Sequence, residues 1–177
     1  METILNAKVY VGTYHKFNNS NLKGDWINLN EHSNLESFYD ECKRLHNNEF
    51  APEYMFQSHE NIPNGFITEC SIDKRIFDLI DKNYNFSEEK QRAFYVFLDN
   101  YDFKDSDYAQ DIIDMFDDKY VGYYKSNYEF GYDLVDTYLG INNIEFIENY
   151  IDFKKLGEDI IKQGYVRQFE GYYFNNY

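Results

Sequence analysis

The strongest constraint on how this chain folds is its aromatic load, nineteen tyrosines and sixteen phenylalanines in 177 residues. Rings of that size carry most of the apolar surface available for burial, so the cores must be built largely from them. A tyrosine can bury one face of its ring while its hydroxyl reaches water, which suits thin cores and an elongated shape. The same load answers a question raised by charge. Acidic residues outnumber basic ones 32 to 17, a net charge of −15, and such an excess marks disorder in chains poor in aromatics. With aromatics at 20%, this chain folds. Its charge repels nucleic acid and attracts basic surfaces, so direct binding to DNA or RNA is disfavoured.

No apolar run approaches the roughly 18 residues that span a bilayer, and the opening METILNAKVY lacks the basic and apolar regions of a signal peptide. The expectation is a soluble cytoplasmic protein. Cys42 and Cys70 are the only cysteines, and in a reducing compartment they are expected as free thiols.

Alternation over Ala7 to Tyr14 and again over Gly24 to Leu29 predicts two strands. Ser33-Asn34-Leu35-Glu36 reads as a capping box, and Leu35, Phe38, Tyr39, Cys42 and Leu45 recur at helical spacing behind it. Tyr54 to Gln57 suits a third strand, and Ile62-Pro63-Asn64-Gly65 a turn. From Ser71 to Asp118 the pattern is helical, with Ser71 and Ser87 as N-cap candidates and a helix over Ser106 to Asp118 whose apolar stripe is Tyr108, Ile112, Met115 and Phe116. Then come a strand near Tyr120 to Tyr124, a helix through Leu134, Val135, Tyr138 and Leu139 stopped by Gly140, and a helix from Asn143 to Tyr150. A further helix runs from its cap Asp152 to its stop Gly164, followed by one aromatic strand from Tyr165 to Phe174. The fold class is α+β: three small domains in an elongated chain, with mixed sheet and helix at 1–65 and 105–177 and a helical middle at 66–104.

One segment stands out in charge. Asp99, Asp102, Asp105, Asp107, Asp111, Asp114, Asp117 and Asp118 face Lys104 alone, a local charge of −7. Helical spacing would place Asp107, Asp111, Asp114 and Asp118 on one face, where like charges destabilise the helix by a few tenths of a kcal/mol per pair. Twenty helical residues span about 30 Å, and duplex DNA of that length carries roughly 18 phosphate charges. The aspartates reach under half that number, but a protein groove touches only part of a duplex, so an acidic face could present a comparable local field. The plainer reading is a solvated face that keeps an aromatic-rich protein in solution.

Site chemistry of other kinds is poorly supported. Asp99 to Asp107 lacks the central glycine and closing glutamate of an EF-hand loop. Cys42 and His46 stand four apart on a helix, a geometry open to metal binding or to a nucleophile with its base, but no third ligand is apparent. The reading adopted is a small core residue at Cys42 and a surface or turn residue at His46. No P-loop, Gly-x-Ser-x-Gly or His-Glu-x-x-His pattern occurs. Neither an enzyme nor a cofactor is expected.

The run Val9-Tyr10-Val11-Gly12-Thr13-Tyr14-His15-Lys16-Phe17-Asn18, followed by Gly24-x-Trp26-x-x-Leu29, closely resembles the opening of the ArdA antirestriction proteins. Phe38-x-x-x-Cys42-x-x-Leu45-His46, Pro52-Glu53-x-Met55-Phe56-Gln57, Pro63 and Glu69-Cys70 follow in family order. Asp133-Leu134-x-x-x-Tyr138-Leu139 and Tyr150-Ile151-Asp152-Phe153-x-x-x-Gly157-x-Asp159 resemble the closing segment with its antirestriction motif. Ser58 stands where the family pattern suggests an acidic residue, and the segment between Asp73 and Tyr120 resembles the family more in charge than in sequence. The resemblance implies an elongated three-domain protein, carried on mobile DNA, that dimerises through its C-terminal domain. Such a protein mimics bent B-form DNA and inhibits Type I restriction-modification enzymes at their methyltransferase core. For this chain it implies a DNA-mimic surface formed by the eight aspartates and a dimer contact formed by Leu134, Val135, Tyr138, Leu139 and Ile141. The competing readings are an acidic module that sequesters another basic DNA-binding protein, and a metal-dependent enzyme.

Overall fold

The computed structural model describes residues 2–139 and 148–177, without the side chains of 138 and 139. Among these residues lie seven α-helices and two three-stranded antiparallel sheets, a mixture of helix and sheet as expected. No helix among them is long and apolar enough to cross a membrane. The chain divides into two compact units, Met1–Asp114 and Met115–Tyr177.

The sheet of the first unit has strand order β2-β1-β3, with β1 at Lys8–Thr13, β2 at Asp25–Asn28 and β3 at Tyr54–Glu60. Alternation puts Val9, Val11, Ile27 and Phe56 into the core. On the other face Tyr10 meets Trp26 across the strands in an edge-on ring contact, and Lys8 Nζ lies 4.6 Å from the Trp26 ring centroid. A register shift between Tyr10 and Val11 bends the β1–β3 pairing. The first strand ends earlier than its alternation suggests, because the Thr13 hydroxyl accepts the Lys16 amide and caps a short helix, α1 (Tyr14–Asn18).

Helix α2 (Leu35–Leu45) buries Phe38 and Cys42, and Phe38 packs edge-on against Phe56 of β3. Its capping box is displaced by one residue from the expected one. Asn34 accepts the Ser37 amide and the Ser37 hydroxyl answers the Asn34 amide, so the pair is Asn34 and Ser37 rather than Ser33 and Glu36. The turn expected over Ile62 to Gly65 forms one residue later, over Pro63 to Phe66, closed by the Phe66 amide on the Pro63 carbonyl. Ser71 does not cap a helix. It sits at the tip of a small hairpin, its amide held by the Thr68 hydroxyl and the hairpin closed by an Ile67–Ile72 bridge. Helix α3 (Arg75–Asn83) instead begins where the Asp73 carboxylate accepts the Arg75 amide. Ser87 does cap α4 (Glu88–Asn100), which buries Phe94 and Phe97. From Phe97 an aromatic chain continues through Phe103 to Phe66.

The division between the units falls within α5 (Ala109–Lys119). The second unit holds β4 (Tyr120–Tyr123), α6 (Asn127–Leu139), α7 (Phe153–Lys162), β5 (Val166–Phe169) and β6 (Tyr172–Asn175), with sheet order β4-β6-β5. Phe130, Val166 and Tyr173 form its central cluster, and the Tyr173 hydroxyl donates to Asn127 Oδ1 at 2.7 Å. Asp152 caps α7 on the Lys155 amide, as expected. The single aromatic strand expected from Tyr165 to Phe174 is a hairpin. Glu170 (φ 52°) and Gly171 (φ 85°) form its two-residue turn, and positive φ at both positions is what a tight hairpin loop requires. The expected stop at Gly140 lies outside the described residues, as does most of the helix expected over Asn143 to Tyr150, of which Glu148–Tyr150 is a 3-10 turn.

Candidate functional site

The eight aspartates of the charged segment differ in what the structure asks of them. Asp99, near the end of α4, accepts the Asn64 amide at 2.9 Å and ties that helix to the Pro63 to Phe66 turn. Residues 101–108 form neither helix nor strand. Within them Asp107 is half-buried and accepts the Lys104 amide at 2.9 Å, while the side chains of Asp102 and Asp105 are exposed and make no hydrogen bond among the described residues. On α5, Asp111 reaches back to the Tyr108 amide at 2.7 Å, and Asp114 accepts from the Gln110 side chain at 2.8 Å. Asp111, Asp114, Asp117 and Asp118 are all exposed.

The expectation that Asp107 shares a helix face with Asp111, Asp114 and Asp118 is corrected here. Helix α5 starts at Ala109 because Asp111 closes the end of the helix on Tyr108, which leaves Asp107 in the preceding turn. Asp111, Asp114 and Asp118 retain the three- and four-residue spacing of one face. Tyr108, expected on the apolar stripe, is 77% exposed, whereas Ile112 and Phe116 are fully buried.

The segment 101–108 is held by a cation that sequence reasoning missed. Arg75, at the start of α3, donates from Nη1 to the Lys104 carbonyl at 2.7 Å and to the Asp107 carbonyl at 3.2 Å. Its Nε and Nη2 grip the Asp73 carboxylate. Burial would raise the Asp73 carboxyl, but the hydrogen bonds and charge of Arg75 outweigh it and hold the group below its usual range. A cleft of about 740 Å³ opens beside this pair, with Glu36, Asp78 and Asp105 in its wall.

A second cluster lies behind the opening motif. His46, expected as a surface or turn residue, does stand in the turn that ends α2, but it is 1% exposed. Its Nε2 lies 3.2 Å from the Val11 carbonyl and its Nδ1 2.7 Å from Lys16 Nζ. Lys16 also pairs with Glu49 at 3.1 Å, and Glu49 accepts from the buried Thr13 hydroxyl. Burial, reinforced by the Lys16 cation, holds the His46 imidazole below its ordinary range, against the Val11 carbonyl and Glu49, which act the other way. Cys42 is buried as expected, and burial pushes its thiol up to about 12, which removes the nucleophilic reading. Among the described residues, no group of three or more His, Cys, Asp or Glu is arranged to hold a metal ion.

Of the residues expected at a dimer contact, Val135 is 5% exposed and packs on Phe153, while Leu134 is half-buried against the Phe130, Val166 and Tyr173 cluster. The side chains of Tyr138 and Leu139, and Ile141 altogether, lie outside the described residues.

A family model described as antirestriction protein (ArdA) matches residues 9–175. The chain belongs to the ArdA family. No curated protein matches it. The matched span takes in every aspartate of the charged segment, Arg75, and the Thr13, Lys16, His46 and Glu49 cluster. For an ArdA protein the function implied is antirestriction, so the surface to be explained is one that meets a DNA-handling enzyme.

Proposed function

We propose that this ArdA protein inhibits Type I restriction-modification enzymes by occupying the DNA-binding groove of their methyltransferase core, with a distributed acidic surface standing in for phosphates. It performs no catalysis in doing so. The observation that carries the reading is the −7 charge of residues 99–118, with the side chains of Asp102, Asp105 and Asp118 exposed and making no hydrogen bond among the described residues. A groove lined with cations to receive DNA attracts such a field over a Debye length of about 8 to 10 Å at moderate salt.

Three finer features belong to the same proposal and rest on the family resemblance. The chain is arranged as three small domains, 1–65, 66–104 and 105–177, in an elongated particle. It acts in the cytoplasm as a homodimer. Leu134, Val135, Tyr138, Leu139 and Ile141 form the contact. Sedimentation of a Leu139→Arg variant tests the contact, a folded monomer being the expected product.

The deciding experiment is competition with a labelled target duplex for a purified Type I methyltransferase complex. Displacement of the duplex is expected at one dimer per site. Failure to displace it, with the protein folded, would overturn the reading.

A further inference from the structure

We propose that Arg75 is a positioning residue for inhibition, a latch that fixes the backbone of the acidic segment 101–108 so that its carboxylates stand at defined places. The inference rests on the function proposed above. The segment has no helix or strand to shape it, and it carries Asp102, Asp105 and Asp107. Within the segment, the bonds that fold it are those between Lys104 and Asp107. From outside, Phe103 packs against Phe66 and Phe97, and the Arg75 guanidinium caps the carbonyls of Lys104 and Asp107. Both carbonyls therefore converge on one cation. The cation is itself fixed: Asp73 holds it through a forked pair, its side chain is only 14% exposed, and it lies 5.9 Å from the Phe66 ring centroid.

A guanidinium can do this because its donors point in several fixed directions at once, whereas an ammonium is a compact point charge without that planar fork. Arg75 also presents a cost to the proposed function, since a cation beside an acidic surface weakens its field. If charge alone mattered, removing Arg75 would make the protein a better inhibitor. If position matters, removing it makes the protein worse. The two effects have opposite signs, which makes the test decisive.

The experiment uses the full chain and two variants, Arg75→Gln and Arg75→Lys, read by amide hydrogen exchange and by duplex displacement from the Type I methyltransferase complex. Amides of residues 102–108 should exchange roughly ten- to a hundredfold faster in both variants, the effect of losing one or two hydrogen bonds to a charged group, while protection in β1 and β3 is retained. Displacement should weaken in both, even though Arg75→Gln adds a net negative charge and Arg75→Lys leaves the charge unchanged. Tighter displacement by Arg75→Gln, or unaltered exchange of 102–108 in Arg75→Lys, would overturn the latch. If both variants lose protection in β1 and β3, Asp73→Asn, which loosens the grip on Arg75 but leaves its carbonyl partners, takes their place; because it also removes a negative charge, exchange of 102–108 is then the deciding readout, and unaltered exchange would overturn the latch. A triple Asp102, Asp105 and Asp118→Asn variant separates the two levels. Full inhibition by that variant would overturn the proposed role of the band, while the exchange data report on the latch alone.

Discussion

Lys16 Nζ lies 2.7 Å from His46 Nδ1 in the first unit, on a ring that is 1% exposed. That approach requires Nδ1 to accept, so the imidazole is neutral and carries its proton on Nε2, facing the Val11 carbonyl. Asn48 and Glu49 share the lysine, and the Tyr54 ring lies 6.1 Å away. A second proton on His46 would set two cations against each other with Glu49 alone between them.

Stability should therefore fall on acidification in two steps. His46 has a folded-state pKa below its ordinary 6.5, so below that pH the unfolded chain binds the extra proton more readily than the folded one. Stability is complete above about pH 6.5 and is lost as pH falls through the His46 range. Glu49 adds a second loss. Burial alone would raise its carboxyl, but hydrogen bonds from Lys16 and Thr13 hold it below the ordinary 4.5, and that contribution disappears as pH falls under that value. Urea midpoints at pH 7.5, 6, 5 and 4 should decline throughout for the wild type. In His46→Gln the decline between 7.5 and 5 should be shallower. An equal decline in both proteins would remove His46 from the account.

The two thiols should be told apart by reagent. Cys42 is buried with its thiol pushed up to about 12, and Cys70 is exposed. A disulfide reagent at pH 8 should label one thiol in the folded protein, abolished by Cys70→Ser, and two after unfolding. Rapid labelling of both in the folded state would contradict the burial of Cys42.

Helices α6 and α7 pack through glycine. A Cβ on Gly131 would stand 2.0 Å from the Phe153 carbonyl oxygen, and one on Gly157 would stand 2.3 Å from that of Asn127. Alanine favours a helix over glycine by about 1 kcal/mol, but here the obstacle is backbone, which no rotamer change can relieve. Overpacking of about 1–3 kcal/mol should win, so Gly131→Ala and Gly157→Ala should each lower the melting temperature by several degrees, by roughly ΔΔG over the unfolding entropy. A neutral or stabilised variant would show that the helices can part without penalty.

Much of the fold could be read from the sequence because its signals are local. Alternation gave β1 and β2, and the caps Ser87 and Asp152 act through amides three residues away. Misreadings arose where two local patterns competed or where the partner is distant. Ser33 with Glu36 and Asn34 with Ser37 are overlapping boxes one residue apart, and the first turn forms on the second. Ser71 is an acceptable cap that a hairpin claims instead. His46 repeats the face of Cys42 at four residues, and that spacing, read as possible metal chemistry, is what carries both into the core; its partners Val11 and Lys16 lie 35 and 30 residues away. Arg75 was invisible for the same reason, since it acts on carbonyls 29 and 32 residues along the chain. The charge of the band could be counted in advance. Which of its carboxylates serve the fold could not, because Asp99 and Asp107 are engaged by amides whose approach depends on tertiary structure and on an irregular turn.

That division of labour shapes the expected effect of neutralising the band. A diffuse field has no indispensable member, so Asp102→Asn, Asp105→Asn or Asp118→Asn should each weaken inhibition little, exposed charge contacts being worth about 0–1 kcal/mol. Asp99→Asn and Asp107→Asn should behave differently, because an amide is a poorer acceptor for the turn amides they serve. These two should lower thermal stability by about 1 kcal/mol with a modest loss of inhibition. The quadruple variant of Asp107, Asp111, Asp114 and Asp118 should stay folded, since relief of like-charge repulsion on α5 offsets part of the loss of the bonds from Lys104, Tyr108 and Gln110. Its inhibition should fall well beyond that of any single variant. Its salt dependence should also become shallower, because fewer charges remain to be screened. Binding to a Type I methyltransferase complex across a series of salt concentrations measures both quantities. Abolition of binding by one folded single variant would replace the distributed field with a discrete site. Unchanged binding by the quadruple variant would leave the band as a solvated surface and move the contact elsewhere on the protein.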